Sequence, residues 1–385
     1  MNSSASTPLA QLRGLARLGI DATHGVVGVV EQMHRTISDR AWPLAEGRAT
    51  RTTGLTGAVY GAIRGTTGVV GLGLNEALRV LERWVPEGPV SPRREAVLAA
   101  VNGIWGDHLA ASGNPLAIAM GLRVDGRAVP ITPEGLRAAM PAPTGRIAVL
   151  VHGLCMNDLQ WRRKGHHHGD VLAQDLGCTV LALHYNSGLP IADNGAQFAR
   201  LLDELVASWP VPVQDLVLVG HSMGGLVARS AVALADEQDH PPPWRQTLKH
   251  LVCLGSPHQG ALLERGGRII DAGLELSPYL APFARLGKAR SAGINNLHDG
   301  SVHAPLPAGV QVGLLAATTS AEPKGLRHTV LGDGLVTLAS AWGEHRDPAH
   351  ALHLPASRKR LVAQANHWDL LNHPQAALAL RDWLR

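Results

Sequence analysis

The chain is poor in cysteine, in lysine and in aromatic side chains. Its three cysteines, Cys155, Cys178 and Cys253, are odd in number and far apart, which argues against a disulfide framework and predicts buried, reduced thiols. Aromatic residues make up 4% of the sequence, and no run of basic residues is interleaved with them. With a net charge of only +4, the chain therefore lacks the basic surface of a nucleic-acid-binding protein.

Long apolar runs are missing as well. The most apolar glycine-rich stretch, residues 53–85, is interrupted by Arg64, Asn75 and Glu76, well short of the ~20 residues that a membrane-spanning helix needs. The first residues do not combine a basic start with an apolar segment, as a secretory signal would. The sequence predicts a cytoplasmic protein that could contact a membrane peripherally.

The pentapeptide Gly-His-Ser-Met-Gly at residues 220–224 is the strongest motif in the chain. It follows the apolar run 216–219 directly and precedes a helical pattern. Strand, Gly-x-Ser-x-Gly and helix in this order hold a nucleophilic serine on a sharp turn. Gly220 and Gly224 remove side chains that would collide in that turn, and the positive end of the helix faces the site. Ser222 is therefore the candidate nucleophile.

A nucleophilic serine needs a base, and the base needs an orienting acid. Asp333 lies between two glycines, after the apolar strand candidate 310–317. His367 lies in a loop between the strand candidate 360–364 and a final helical pattern. The chain order Ser, Asp, His predicts Asp333 as the orienting acid and His367 as the general base.

Other residues could fill these roles, because the chain has 20 histidines. His373 and His345 are alternative bases, although His373 precedes a proline and fits a helix cap. Asp347 and Glu344 are alternative acids, but they fall well past the strand end. The alternative for His367 is that it is an ordinary surface histidine in a loop, without a catalytic role.

Acyl transfer also needs hydrogen-bond donors for the oxyanion. The apolar run 147–151 predicts a central parallel strand that is buried on both faces. Gly153, just after it, lets the backbone turn so that the Leu154 N–H faces the serine, although His-Gly could also be an ordinary strand-ending turn. The Met223 N–H would supply the second donor. The residues expected to contact the substrate are His152, Gly153 and His221.

Taken together, these motifs resemble those of bacterial lipases and esterases of the α/β-hydrolase superfamily. The matching segments are 151–154, 220–225, 255–260, 333–336 and 366–371, so the resemblance covers the chain from about residue 115 onward. It implies hydrolysis of carboxylic esters, including lipid esters, through an acyl-enzyme. No cofactor and no metal ion are needed for that chemistry, and the acyl length and the alcohol stay open.

Alternating strands and helices predict an α/β fold, with a mainly parallel sheet, right-handed crossovers and helices on both faces. The hydrolase domain is expected over 113–385, after an N-terminal helical extension over 1–112. A hairpin is expected around Asp125-Gly126, between 116–120 and 128–131. The strand candidates are 146–151, 179–184, 215–219, 249–254, 309–316 and 359–364, and the clearest amphipathic helix is 195–208.

The sequence does not decide the structure or role of three further features. Residues 261–305 predict a lid over the serine, or a crossover helix with a long loop. The run His166–His168 predicts a polar rim on the oxyanion loop more readily than a metal site, since adjacent side chains diverge. Asp369 resembles a calcium-ligand position of some secreted lipases, but no partner ligands are evident.

The glycines of the N-terminal third recur every four residues at 57, 61 and 65. Such spacing suits close helix contact. Three interpretations follow: a helical pair packed on the hydrolase core, an amphipathic element on a membrane surface, or self-association through the glycine face.

Other functions remain compatible with the sequence. The same triad could cleave a thioester or an amide, or transfer the acyl group to an alcohol other than water. A different class of function is a membrane-associated binding or assembly protein, in which the hydrolase domain only binds. A missing triad member would favour that class, but none is missing.

Overall fold

The computed structural model describes residues 92–260, 291–299, 305–321 and 332–385, together with helical residues 13, 14, 16, 17, 19 and 20. These residues fall into two compact units. The first contains residues 92–110 and the described residues from 117 onward, and the second contains the six helical residues and 111–116.

The first unit contains ten strands and nine α-helices among its described residues. The strands are β1 (Gly121–Val124), β2 (Arg127–Ala128), β3 (Arg146–Val151), β4 (Arg162–Arg163), β5 (His166–His167), β6 (Thr179–His184), β7 (Asp215–His221), β8 (Leu248–Leu254), β9 (Gln311–Thr318) and β10 (Lys359–Ala363). The helices are α1 (Pro92–Ala111), α2 (Pro133–Ala139), α3 (His168–Leu176), α4 (Ile191–Ser208), α5 (Met223–Asp236), α6 (Pro243–Thr247), α7 (Ala292–Asp299), α8 (Leu338–Ala341) and α9 (Pro374–Leu384).

Eight of the strands form one sheet, in the order β10-β9-β8-β7-β3-β6-β1-β2. Every neighbouring pair from β10 to β6 is parallel, and only β1 pairs in the antiparallel sense, with β6 and β2. Strands β4 and β5 form a separate two-stranded ribbon. The mainly parallel sheet predicted from the sequence is confirmed.

Both faces of the sheet are covered. On one face, Leu150 and Val217 pack in a buried cluster with Leu172 of α3 and Trp383 of α9. On the other face lie α5 and α4, which pack against each other; the Cys253 thiol of β8 contacts a backbone carbonyl of α5 there. Helices on both faces explain why the middle of the central strands, at 147–151 and 216–219, is apolar at successive positions.

The hairpin prediction needs correction. The turn lies at Asp125-Gly126, both with positive φ, as predicted. However, β1 begins at Gly121, because the Ile118 N–H donates to the Asn102 side chain at 2.9 Å and not to a strand partner. The strand β2 ends at Ala128, close to Pro130, which has no N–H for a ladder.

The other strand predictions agree with the structure. β3 and β6 have the predicted bounds, β7 runs on to His221, and β9 begins at Gln311. The amphipathic helix predicted over 195–208 is α4, which already begins at Ile191.

Within the second unit, Arg17 donates to the Ser112 and Gly113 carbonyls at 2.7 and 3.1 Å, and the Asn114 amide donates to the Gly14 carbonyl at 3.1 Å. Most of the predicted glycine-rich extension, and the predicted lid apart from α7, lie outside the described residues. Across the described ranges, no helix is both long enough and apolar enough to cross a bilayer.

Candidate active site

Ser222 lies on the sharp turn between β7 and α5, with φ 54° and ψ −125°. A Cβ at Gly220 would lie 2.3 Å from the Gly225 nitrogen, and one at Gly224 would lie 2.1 Å from the Val151 oxygen. Only glycine fits at these two positions. The turn therefore holds the serine, which is partly exposed, at the carboxyl end of the central strands.

Asp333 and His367 are brought together by the loops that follow β9 and β10. His367 Nδ1 lies 2.7 Å from Asp333 Oδ2, and both side chains are almost fully buried. The other carboxylate oxygen accepts from the Leu335 and Val336 amides at 2.9 and 2.8 Å. Because Nδ1–H donates to the carboxylate, Nε2 is left as the basic nitrogen of a neutral ring.

The serine and the histidine both contact the end of β8. The Ser222 N–H donates to the Leu254 carbonyl at 2.9 Å. A Cβ on the next residue, Gly255, would lie 3.2 Å from the His367 ring. Within the described ranges, no hydrogen bond joins Ser222 to His367. Such bonds are often long before substrate binds.

The predicted oxyanion loop lies against the nucleophile. A Cβ on Gly153 would lie 3.0 Å from Ser222 Cβ. Among the hydrogen bonds between described residues, none is donated by the backbone N–H of Leu154 or Met223. Met223 is the first residue of α5, so its N–H has no intrahelical acceptor. Two backbone donors are therefore available beside the serine.

The loop is held by residues that the sequence did not indicate. The Tyr185 hydroxyl donates to the His152 carbonyl at 2.7 Å, and the Ser187 hydroxyl accepts from the Cys155 N–H at 3.0 Å. Cys155 adopts a positive φ of 58°. No motif marks Tyr185 or Ser187, because their role depends on how β6 and its following loop pack beside β3.

His152 and His221, which the sequence analysis expects to contact the substrate, are both fully buried in the structure. His152 stacks on Tyr185, with ring centroids 4.3 Å apart, and its Nδ1–H donates to the Gly153 carbonyl at 2.9 Å. Burial lowers the pKa of His152 to about 3. His152 is therefore a neutral residue that supports the oxyanion loop.

His221 lies beside the candidate base. Its Nε2–H donates to the His367 carbonyl at 3.1 Å, and the two rings are 4.7 Å apart. Burial, and then the charge of His367, hold the pKa of His221 well below its usual value. A neutral His221 adds no repulsion when the neighbouring base takes up a proton.

The histidine run at 166–168 is not simply a polar rim. His168 is fully buried, and its Nε2–H donates to the Leu370 carbonyl at 2.8 Å, while its Nδ1 accepts from His166 at 2.9 Å. Burial lowers the pKa of His168 to about 4. In the described ranges, no group of three His, Cys, Asp or Glu side chains is arranged to hold a metal ion.

The alternative acids and bases have other contacts. His373 caps α9 by accepting from the Gln375 N–H at 3.2 Å, as predicted. His345 bonds to the backbone of Asp347, and Glu344 lies 3.8 Å from a lysine. Asp369, the suggested calcium position, forms an ion pair with Lys164 at 3.3 Å.

One protein-family model matches part of the chain. Residues 197–281 match the family described as PGAP1-like alpha/beta domain. No curated protein shows significant similarity to the sequence.

Several solved structures are similar. A lipase from Bacillus licheniformis in its mature form has 18% identity and a TM-score of 0.44, covering 63% of this chain and 94% of that one. Carboxylesterase CesB from Bacillus subtilis has 15% identity and a TM-score of 0.37, over 63% and 85% of the two chains. An esterase from Pyrococcus furiosus has 14% identity and a TM-score of 0.36, over 63% and 84%.

The sheet order, the helices on both faces and the strand-turn-helix geometry at Ser222 define the fold. The chain has the α/β-hydrolase fold.

Proposed function

We propose that the protein is a serine hydrolase of carboxylic esters, with Ser222 as nucleophile, His367 as general base and Asp333 as orienting acid. The observation that carries the proposal is the buried 2.7 Å contact between His367 Nδ1 and Asp333 Oδ2, beside a serine on a strained turn. Buried carboxylate–imidazole pairs next to such a serine fit acyl transfer.

In the proposed reaction, Ser222 Oγ attacks the ester carbonyl and its proton passes to His367 Nε2. Asp333 stabilises the imidazolium and keeps the ring in the required tautomer. The alcohol leaves with the proton from His367, and an acyl group remains on Ser222. Water, activated by the same histidine, then releases the acid and regenerates the serine.

The Leu154 and Met223 amides are proposed to hold the oxyanion. Both are backbone donors on elements that are already fixed, so they need little reorganisation as charge develops. Removing one oxyanion donor typically costs about 10²–10³ in kcat. The positive end of α5 adds to the same field.

The test is a panel of p-nitrophenyl esters of increasing acyl length, assayed with the wild type and with Ser222→Ala. We expect hydrolysis by the wild type and a loss of roughly 10⁴-fold or more in kcat for the variant. Matched thioester and amide substrates identify the scissile bond. Equal turnover by the two proteins would exclude the proposal.

A further inference from the structure

The helix α1 packs directly against the predicted oxyanion loop. A Cβ at Gly103, in the middle of α1, would lie 2.2 Å from Cys155 Sγ and 2.9 Å from the Cα and the nitrogen of the same residue. The Cys155 thiol contacts the Ala100 carbonyl of α1 at 3.9 Å. In so close a contact, a side chain at position 103 would displace Cys155, the residue that directly follows Leu154.

A second glycine lies three residues further along the same face of α1. A Cβ at Gly106 would lie 1.8 Å from Asn186 Oδ1, and the Asn186 amide donates to the Gly106 carbonyl at 2.8 Å. Asn186 precedes Ser187, whose hydroxyl accepts from the Cys155 N–H. Glycine inside a helix is unfavourable relative to alanine, so two glycines on one face call for a reason. Close contact with these two loops supplies it.

Cys155 has a backbone conformation that needs such support. Its φ of 58° lies in the left-handed region, which a residue with a side chain rarely adopts. Such residues persist where their surroundings hold them, and they cluster at functional sites. The Ser187 hydroxyl holds the Cys155 N–H, and the Tyr185 hydroxyl holds the His152 carbonyl. The chain is therefore fixed on both sides of Leu154.

A buried group of charges joins α1 to the segment that follows the oxyanion loop. Arg123 Nη1 of β1 lies 2.8 Å from Glu95 Oε2 of α1 and 3.2 Å from Asp158 Oδ1. All three residues are at most 7% exposed. Separating a buried charge from its partner is costly, so these contacts hold α1 and the segment around Asp158 together. Asp158 is only three residues after Cys155.

Resting on the proposed function, we propose that Gly103 is a positioning residue for the Leu154 oxyanion donor and acts through Cys155. The missing side chain lets α1 close on Cys155, and the loop then lies against the nucleophile, where a Cβ on Gly153 would be 3.0 Å from Ser222 Cβ. A donor that is fixed before the reaction needs little reorganisation as charge develops. The helix α1 is thus part of the machinery of the active site, although it touches no substrate.

The first variant is Gly103→Ala in the full chain, assayed with p-nitrophenyl butyrate and with an alkyl trifluoromethyl ketone as inhibitor. Ser222 Oγ adds to the ketone carbon and its proton passes to His367, which leaves a hemiketal oxyanion at the oxyanion donors. We expect kcat to fall by about tenfold or more with KM nearly unchanged, and Ki for the ketone to rise by the factor that kcat/KM loses. The midpoint of the pH profile should stay, because the contact between His367 and Asp333 is untouched.

The matched control is Gly313→Ala in β9. A Cβ at Gly313 would lie 2.5 Å from the Trp383 ring, in the core between β9 and α9. This variant should lower the urea midpoint through overpacking but keep kcat and Ki within a few fold of the wild type. The proposal is overturned if Gly103→Ala and Gly313→Ala have the same kcat and the same Ki.

A double-mutant cycle tests whether Gly103 acts through Cys155. Cys155→Gly removes the sulfur that the new methyl group would meet, and glycine adopts a positive φ without strain. The loss of kcat caused by Gly103→Ala should therefore be smaller in the Cys155→Gly background, by about threefold or more. Equal losses in the two backgrounds would overturn the proposal.

Ser187→Ala keeps the test decisive if Gly103→Ala does not fold. It removes the acceptor of the Cys155 N–H without adding bulk, so it should also lower kcat and raise Ki while KM stays. Unchanged kcat and Ki in Ser187→Ala would overturn the role of Cys155. A wild type that neither hydrolyses esters nor binds the ketone removes the proposed function as a whole. An active wild type with a folded, fully active Gly103→Ala removes only the role of Gly103.

Discussion

His221 Nε2 lies 3.1 Å from the backbone carbonyl of His367, the residue proposed as the base. A second buried histidine, His168, donates in the same way to the Leu370 carbonyl at 2.8 Å. The two contacts fix both ends of the turn that carries the His367 ring. Neither side chain needs to touch a substrate to affect the reaction.

Replacing His221 by Phe should therefore lower kcat by about tenfold or more while the protein stays folded, because the carbonyl of His367 loses its donor and the ring loses its position. His221→Gln, which can still donate, should recover part of the rate. The measurement is kcat and KM on p-nitrophenyl butyrate together with the urea midpoint. A full rate for His221→Phe would show that the contact has no positioning role.

Asp333→Asn should reduce kcat strongly, by about 10⁴-fold if the triad acts as in known serine hydrolases. The amide cannot select the tautomer that leaves His367 Nε2 basic. His373→Ala, which removes only the cap of α9, is the matched control and should cost little activity. Activity of Asp333→Asn within a few fold of the wild type would contradict the assigned acid.

Buried histidines should make the fold labile to acid. The pKa of His152 is lowered to about 3 and that of His168 to about 4, and those of His221 and His258 are well below 6.5, all chiefly because burial disfavours the charged ring. Below pH 6.5 the unfolded chain therefore binds more protons than the folded one. Stability falls as pH falls through this window, by up to about 1.4 kcal/mol per pH unit for each histidine.

Urea unfolding between pH 7 and pH 5 measures this dependence. The free energy of unfolding should decline across the whole interval, and His168→Gln should show a shallower slope than the wild type. A free energy that stays constant between pH 7 and pH 5 would rule out the neutral buried state of these rings.

The boundary of the hydrolase unit can be tested by truncation. Residues 92–110 group with the sheet, and Glu95 of α1 forms a buried ion pair with Arg123 of β1 at 2.8 Å. A protein truncated to residues 113–385 lacks Glu95, so the buried Arg123 loses this carboxylate. Its melting temperature should therefore be well below that of a protein truncated to residues 90–385. Thermal unfolding of the two truncated proteins, followed by circular dichroism, measures the difference in melting temperature. Equal melting temperatures would place α1 outside the stable unit.

Much of the fold and the candidate site could be predicted because the signals are local. Apolar runs such as 147–151 mark the buried parallel strands, and the glycines around Ser222 mark a turn that few other sequences can form. The order of Ser222, Asp333 and His367 along the chain then fixes which loops should meet.

The remainder depends on contacts that no local pattern encodes. His152 and His221 adjoin the reacting groups in sequence, yet their side chains point into buried packing and donate to carbonyls. His168 meets Leu370 across 202 residues, and the Arg229–His258 contact joins two elements 29 residues apart. A run of histidines in a sequence suggests a polar surface, and only the tertiary packing shows which of these side chains are buried.

Ser222 is proposed to be an activated nucleophile, and intact-protein mass spectrometry with a fluorophosphonate probe tests this assignment most directly. The wild type should gain one phosphonyl adduct, located at Ser222 by peptide mapping, and Ser222→Ala should gain none. His367→Ala should label far more slowly, since the serine loses its base. Labelling of Ser222→Ala at the wild-type rate, or a wild type that does not react, would contradict the claim.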